Sequence, residues 1–121
     1  MKTRVFYNWM RKTDLTDSIL CKAVQEMENG LIDANLGGNV IKKRVPLPGR
    51  GKSGSTRILL ATNFKNRWYF MFGFEKNERA NIKSIELEAL RKLAMDLLSL
   101  NSSQIELALQ KEKLMEICNE N

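Results

Sequence analysis

The sequence predicts an α+β fold in which a small antiparallel β-sheet packs against N-terminal and C-terminal helices. Two segments with helical apolar spacing, Asp14–Asn29 and Ile82–Leu100, bracket the middle of the chain. Between them lie three β-type runs, Val40–Val45, Ser55–Thr62 and Arg67–Glu75, joined by turn-rich connections that suggest a meander. With 121 residues and 43% hydrophobic content, one domain over 1–121 with one core is expected, and 102–121 is read as a C-terminal extension of open structure.

Taken in order, Arg4–Trp9 is aromatic and β-branched enough for a first strand, with a short helix around Trp9 to Lys12 as the alternative. In the first helix Leu15, Ile19, Ala23, Val24 and Met27 recur on one face, with Thr16 or Asp14 as N-cap and Gly30 as the stop. After a turn at Gly37-Gly38, the next strand puts Ile41, Lys43 and Val45 on one face and Lys42 and Arg44 on the other. Pro46 to Gly54 holds two prolines and three glycines and reads as a loop. The strand that follows separates Arg57, Leu59 and Ala61 from Thr56, Ile58 and Leu60.

Asn63 to Asn66 is read as a turn, and the third run places Trp68, Phe70, Phe72 and Phe74 together on one face, as core. The long helix is expected to bury Ile85, Ala89, Leu90, Leu93 and Leu97, with Glu86 and Glu88 near the positive end of its dipole. Ser103 and Glu106 have capping-box spacing for a further helix, and Lys113 to Cys118 is either its continuation or a short strand.

Charge is distributed unevenly. Between Ala34 and Phe74 stand Lys42, Lys43, Arg44, Arg50, Lys52, Arg57, Lys65 and Arg67, with no acidic residue. Removing these eight from the chain's 20 basic residues leaves 12 against 14 acidic ones, so the net charge of +6 belongs to the middle third. Such a concentration favours a polyanionic partner. There is no histidine, and Cys21 and Cys118 lack metal-ligand spacing, so zinc sites and Ser-His-Asp or Cys-His pairs are excluded and no metal or cofactor is expected. No apolar run approaches the roughly 18 residues of a membrane helix, and the N-terminus lacks the apolar block of a secretory signal, so a cytoplasmic protein without a membrane partner is expected.

Gly49-Arg50-Gly51-Lys52-Ser53-Gly54 ends like a Walker A loop, but the motif's first glycine would fall on Pro46 and Ser53 leads into a strand. A nucleotide site is therefore rejected. Small residues still let a backbone approach a phosphate closely, while Arg50 and Lys52 supply charge. Alone, such a loop reads as a solvated hairpin connection. Arg57, sharing a face with Leu59 and Ala61, is held along a partly apolar surface, which suits phosphate recognition.

If the strands from Ser55 and Arg67 pair as a hairpin, Lys52 and Arg57 approach the cluster Glu75-Lys76-Asn77-Glu78-Arg79. Such a site can cleave RNA without metal. A base takes the 2′-hydroxyl proton, cations stabilise the phosphorane, and an acid protonates the departing 5′-oxygen, leaving a 2′,3′-cyclic phosphate and a 5′-hydroxyl.

Lys42-Lys43-Arg44, the Gly49–Gly54 segment with Arg57 just after, and Gly73-Phe74-Glu75-Lys76-Asn77-Glu78-Arg79-Ala80-Asn81-Ile82 together resemble the RelE-like toxins of HigB type. The resemblance extends over most of the chain, including Glu26 to Gly38. It implies the RelE-like fold, ribosome-dependent cleavage of mRNA, and neutralisation by a cognate antitoxin with a helix-turn-helix domain. By position it assigns Lys52, Arg57 and Lys76 to catalysis, with Glu78 as either a catalytic general base or a structural partner for Arg57 or Arg79, and Lys42, Lys43, Arg44, Arg50 and Arg79 to RNA binding. Members of the wider superfamily often carry a histidine or tyrosine near the C-terminal end of the sheet, and this chain has neither after Tyr69. Two other readings keep the same basic surface: a non-enzymatic inhibitor of DNA gyrase, as in the related ParE toxins, and a plain nucleic-acid-binding module.

Overall fold

The computed structural model describes residues 1–47 and 55–118. In order, the elements are β1 (Lys2–Thr3), α1 (Arg4–Met10), α2 (Asp17–Glu28), β2 (Ala34–Asn35), β3 (Val40–Pro46), β4 (Ser55–Thr62), β5 (Trp68–Glu75), α3 (Ser84–Leu98), α4 (Ser102–Gln110) and β6 (Leu114–Met115). The strands form one sheet in the order β2-β3-β4-β5-β1-β6. Neighbours are antiparallel except β1 and β5, so the expected α+β fold is present with one parallel pair added to the meander.

Helices α1 and α2 cover one face of the sheet, where Phe6, Met10, Leu20, Ala23 and Met27 pack on Ile41, Val45, Ile58, Leu60 and Phe70. Helix α3 covers the other, with Leu90, Ala94 and Leu97 on Val40, Leu59, Ala61, Tyr69 and Met71. α2 starts where Thr16 accepts a hydrogen bond from the Ile19 amide, and the chain leaves it through Gly30 at φ +87°.

Arg4–Trp9 is a helix rather than a strand. Thr3 caps it by accepting from the Phe6 amide at 3.2 Å, and Phe6 and Met10, one turn apart, are buried while Val5 is exposed. The local β propensity yields to the burial of that i, i+4 pair.

The aromatic alternation of β5 is also broken. Leu60 to Thr62 pair with Phe70 to Trp68, but Leu59 to Thr56 pair with Phe72 to Glu75, so Met71 is an extra residue in a β-bulge. Trp68 and Phe70 therefore face α1 and α2, while Phe72 and Phe74 are shifted to the α3 face beside Leu59 and Arg57. The same shift turns Gly73 towards α1. A Cβ there would lie 2.3 Å from the Trp9 ring, so the close approach of α1 to β5 requires glycine.

In α3 the buried stripe is Leu90, Ala94 and Leu97, and Ile85 and Ala89 are exposed with Leu93 at the border. Arg91 decides that rotation: its stem packs on Gly38 (φ +61°), and its guanidinium donates to the Leu36 carbonyl. α4 is capped by Asn101, with Gln104 reciprocating, two residues before the expected Ser103 and Glu106. Of the two readings of the C-terminal segment the strand is observed: β6 pairs with β1, Ile117 enters the core, and Cys118 bonds Cys21 of α2.

Candidate nucleic-acid interface

Strands β3, β4 and β5 bring three of the middle-third cations, Lys42, Arg44 and Arg57, into rows on the α3 face. Arg44 of β3 stands opposite Arg57 of β4, which stands opposite Phe74 of β5. The next row is Lys42, Leu59 and Phe72. Arg44 is exposed, and Lys42 and Arg57 are half-buried. Arg57 is steadied by a hydrogen bond from Nη1 to the Ser55 hydroxyl at 3.0 Å.

Two arginines directly across a strand pair repel each other, and neither forms an ion pair with a described residue. Such an arrangement costs folding stability and gains most when an anion bridges the pair. The β3–β4 connection, residues 48–54 with the predicted Arg50 and Lys52, lies outside the described residues. Its flanking residues Leu47 and Ser55 stand at the Arg44–Arg57 end of the sheet.

From the other side, β5 ends at Glu75, opposite Thr56, and Lys76, Asn77 and Glu78 form an exposed turn. The turn is closed by the Glu78 and Arg79 amides donating to the Glu75 carbonyl at 3.0 and 3.3 Å. The hairpin register thus brings Lys76 and Glu78 to the same sheet end as Arg57, as the pairing argument requires. Arg79 folds back over the aromatic rows, its guanidinium 5.7 Å from the Phe72 ring centre and 5.4 Å from that of Phe74. Glu86, in the first turn of α3, holds it through both carboxylate oxygens. That pairing raises the Arg79 pKa and, with the Lys83 amide, holds the Glu86 carboxyl below the usual carboxylate range.

Lys43 and Arg67 belong elsewhere. Lys43 is 7% exposed on the α2 face, its ammonium 3.1 Å from Glu26 and donating to the Leu31 carbonyl at 2.9 Å. The structure thus sets Lys43, expected among the RNA-binding residues, apart from Lys42, Arg44 and Arg57. Arg67 donates to the Leu98 and Leu100 carbonyls and so satisfies the end of α3. Sequence reasoning missed three members of the surface. Phe72 and Phe74 were placed with Trp68 because nothing local announces the bulge. Glu86 was read as a dipole partner, although its spacing from Lys83 is that of an N-cap and its N3 glutamate.

A cavity of about 620 Å³ opens between α2 and the C-terminal segment, lined by Gln25, Glu28, Trp68, Glu116 and the Cys21–Cys118 bridge. Its carboxylates repel phosphate, and it lies on the face opposite the arginine row. Among the described residues no group of His, Cys, Asp and Glu is arranged to hold a metal ion, and no helix is long and apolar enough to cross a membrane.

Comparison with known proteins gives a family. The family model described as the RelE toxin of the RelE/RelB toxin-antitoxin system matches residues 1–117. A search of curated proteins found no match.

Proposed function

Because the chain belongs to the RelE toxin family of toxin-antitoxin systems, we propose that it is a ribosome-dependent mRNA endoribonuclease acting in the cytoplasm. The observation that carries this reading is the Arg44–Arg57 pair, two cations set opposite each other with no described acidic partner, beside the Lys76–Glu78 turn. Membership of the family implies a cognate antitoxin as partner; we assign it a helix-turn-helix domain.

Arg57, with Lys52 from the β3–β4 connection, holds the scissile phosphate and stabilises the charge that grows on its oxygens. The Glu78 carboxylate takes the 2′-hydroxyl proton as the O2′–P bond forms. The P–O5′ bond breaks, and the Lys76 ammonium gives its proton to the leaving oxygen. Exchange with water restores both groups. Lys42, Arg44 and Arg50 bind the flanking phosphates, and Arg79 lies beside them.

The test is cleavage of a defined mRNA by purified protein on ribosomes, mapped by primer extension. Arg57→Ala and Lys52→Ala are each expected to lose cleavage roughly 100-fold or more while remaining folded. Full activity in both variants refutes the site. Intact mRNA together with inhibited gyrase supercoiling refutes the reaction and favours the binding-only reading.

A further inference from the structure

Arg79 is held in a way that a phosphate clamp is not. Its Nε donates to the Asn81 carbonyl at 3.2 Å, its Nη1 to Glu86 Oε2 at 3.1 Å and its Nη2 to Glu86 Oε1. Glu86 is itself fixed, because Oε1 also accepts the Lys83 backbone N–H at 2.9 Å in the first turn of α3. The fork that would grip a phosphate is therefore occupied by a carboxylate.

The guanidinium carbon lies over the rings of Phe72 and Phe74, 5.7 and 5.4 Å from their centres. The Arg79 side chain nevertheless keeps 31% of its surface exposed. Three of its five N–H donors are engaged and the aromatic rings lie on one side of it, so the exposed remainder of the cation is left to meet a ligand. A delocalised planar cation, immobilised by a carboxylate and backed by aromatic rings, is suited to stacking on a nucleobase.

We propose that the guanidinium of Arg79, held by Glu86 and Asn81 over Phe72 and Phe74, is a nucleobase-stacking subsite. It takes one base next to the phosphate bound at Arg57, because Phe74 beneath it is the cross-strand partner of Arg57. This deepens the RNA-cleaving reading and rests on it. Glu86 is a positioning residue here, since it acts on RNA only through Arg79.

The experiment uses ribosomes programmed with mRNA whose decoding-site codon has 2′-deoxy sugars, which blocks cleavage, and 2-aminopurine at one of its three positions in turn. Binding of dye-labelled protein is read by anisotropy and stacking by quenching of 2-aminopurine. Wild type is expected to quench at one position. Arg79→Lys, which keeps the charge but not the plane, is expected to lose that quenching and to bind roughly tenfold more weakly. An abasic nucleotide at that position then makes wild type and Arg79→Lys bind equally, a result that a general effect on folding does not produce. Retained quenching in Arg79→Lys, or the same binding loss on abasic RNA, overturns the subsite and leaves the RNA reading intact. Failure of wild type to bind the programmed ribosomes overturns both.

Discussion

Replacing Gly73 by alanine tests the bulge in β5 directly. In the shifted register Gly73 faces α1, and the new Cβ would stand 2.3, 2.6 and 2.8 Å from three carbons of the Trp9 ring. Trp9 cannot simply swing aside, because it packs against Phe6, ring centres 5.5 Å apart, at the edge of the core. Overpacking of this kind costs about 1–3 kcal/mol. A rigid indole at 2.3 Å belongs at the upper end, while relief of glycine's backbone entropy offsets about 0.5–1 kcal/mol. The expected net loss is about 2 kcal/mol, roughly 30-fold in the folding constant. Urea denaturation reads it as a midpoint lowered by about 1 M for an m-value near 1–3 kcal/mol/M. Trp9→Ala removes the obstacle, so the double variant is expected to be no less stable than Trp9→Ala alone, a coupling of about 2 kcal/mol. A Gly73→Ala protein within about 0.5 kcal/mol of wild type, or additive single effects, refutes the argument.

Other consequences follow from the same geometry. Arg57→Gln removes the like-charge cross-strand pair and is expected to raise stability by up to about 1 kcal/mol in urea melts while abolishing cleavage; an equal loss of both would mean that Arg57 is structural. The Cys21–Cys118 bridge spans 97 residues, so replacing both cysteines by serine is expected to cost about 4–5 kcal/mol under oxidising conditions, visible as a fall in Tm. A Tm unchanged within error counts against the bridge as a staple. Glu86 has a lowered pKa, so its stabilisation is fully present above the ordinary glutamate value and is lost as pH falls through the lowered one. Wild type and Glu86→Gln are therefore expected to differ in Tm at neutral pH and to converge in acid. A gap that persists at acid pH rules out the carboxylate as its source.

What the sequence determined by itself were the features encoded locally. The positive field of the middle third, the Ser55–Thr62 strand to the residue, the start of α2 at one of its two candidate caps and the long C-terminal helix all follow from charge, period and capping chemistry within a few neighbours. The hairpin argument was also sound, because turn chemistry at Asn63, whose side chain accepts from the Lys65, Asn66 and Arg67 amides, fixes which strands pair.

Tertiary structure decided everything that depended on a partner distant in sequence. Arg4–Met10 became a helix because the core rewarded burial of Phe6 and Met10. Lys43, already set on the other face by the two-residue period, found its partner only when α2 brought Glu26 to it, and Arg67 left the basic surface because α3 ended beside it. Most consequential for the candidate site, the extra residue at Met71 moved Phe72 and Phe74 under Arg79. A two-residue period carries no mark of where one residue will be left over. The basic surface was therefore readable in outline, and its aromatic floor emerged only when the strands were set side by side.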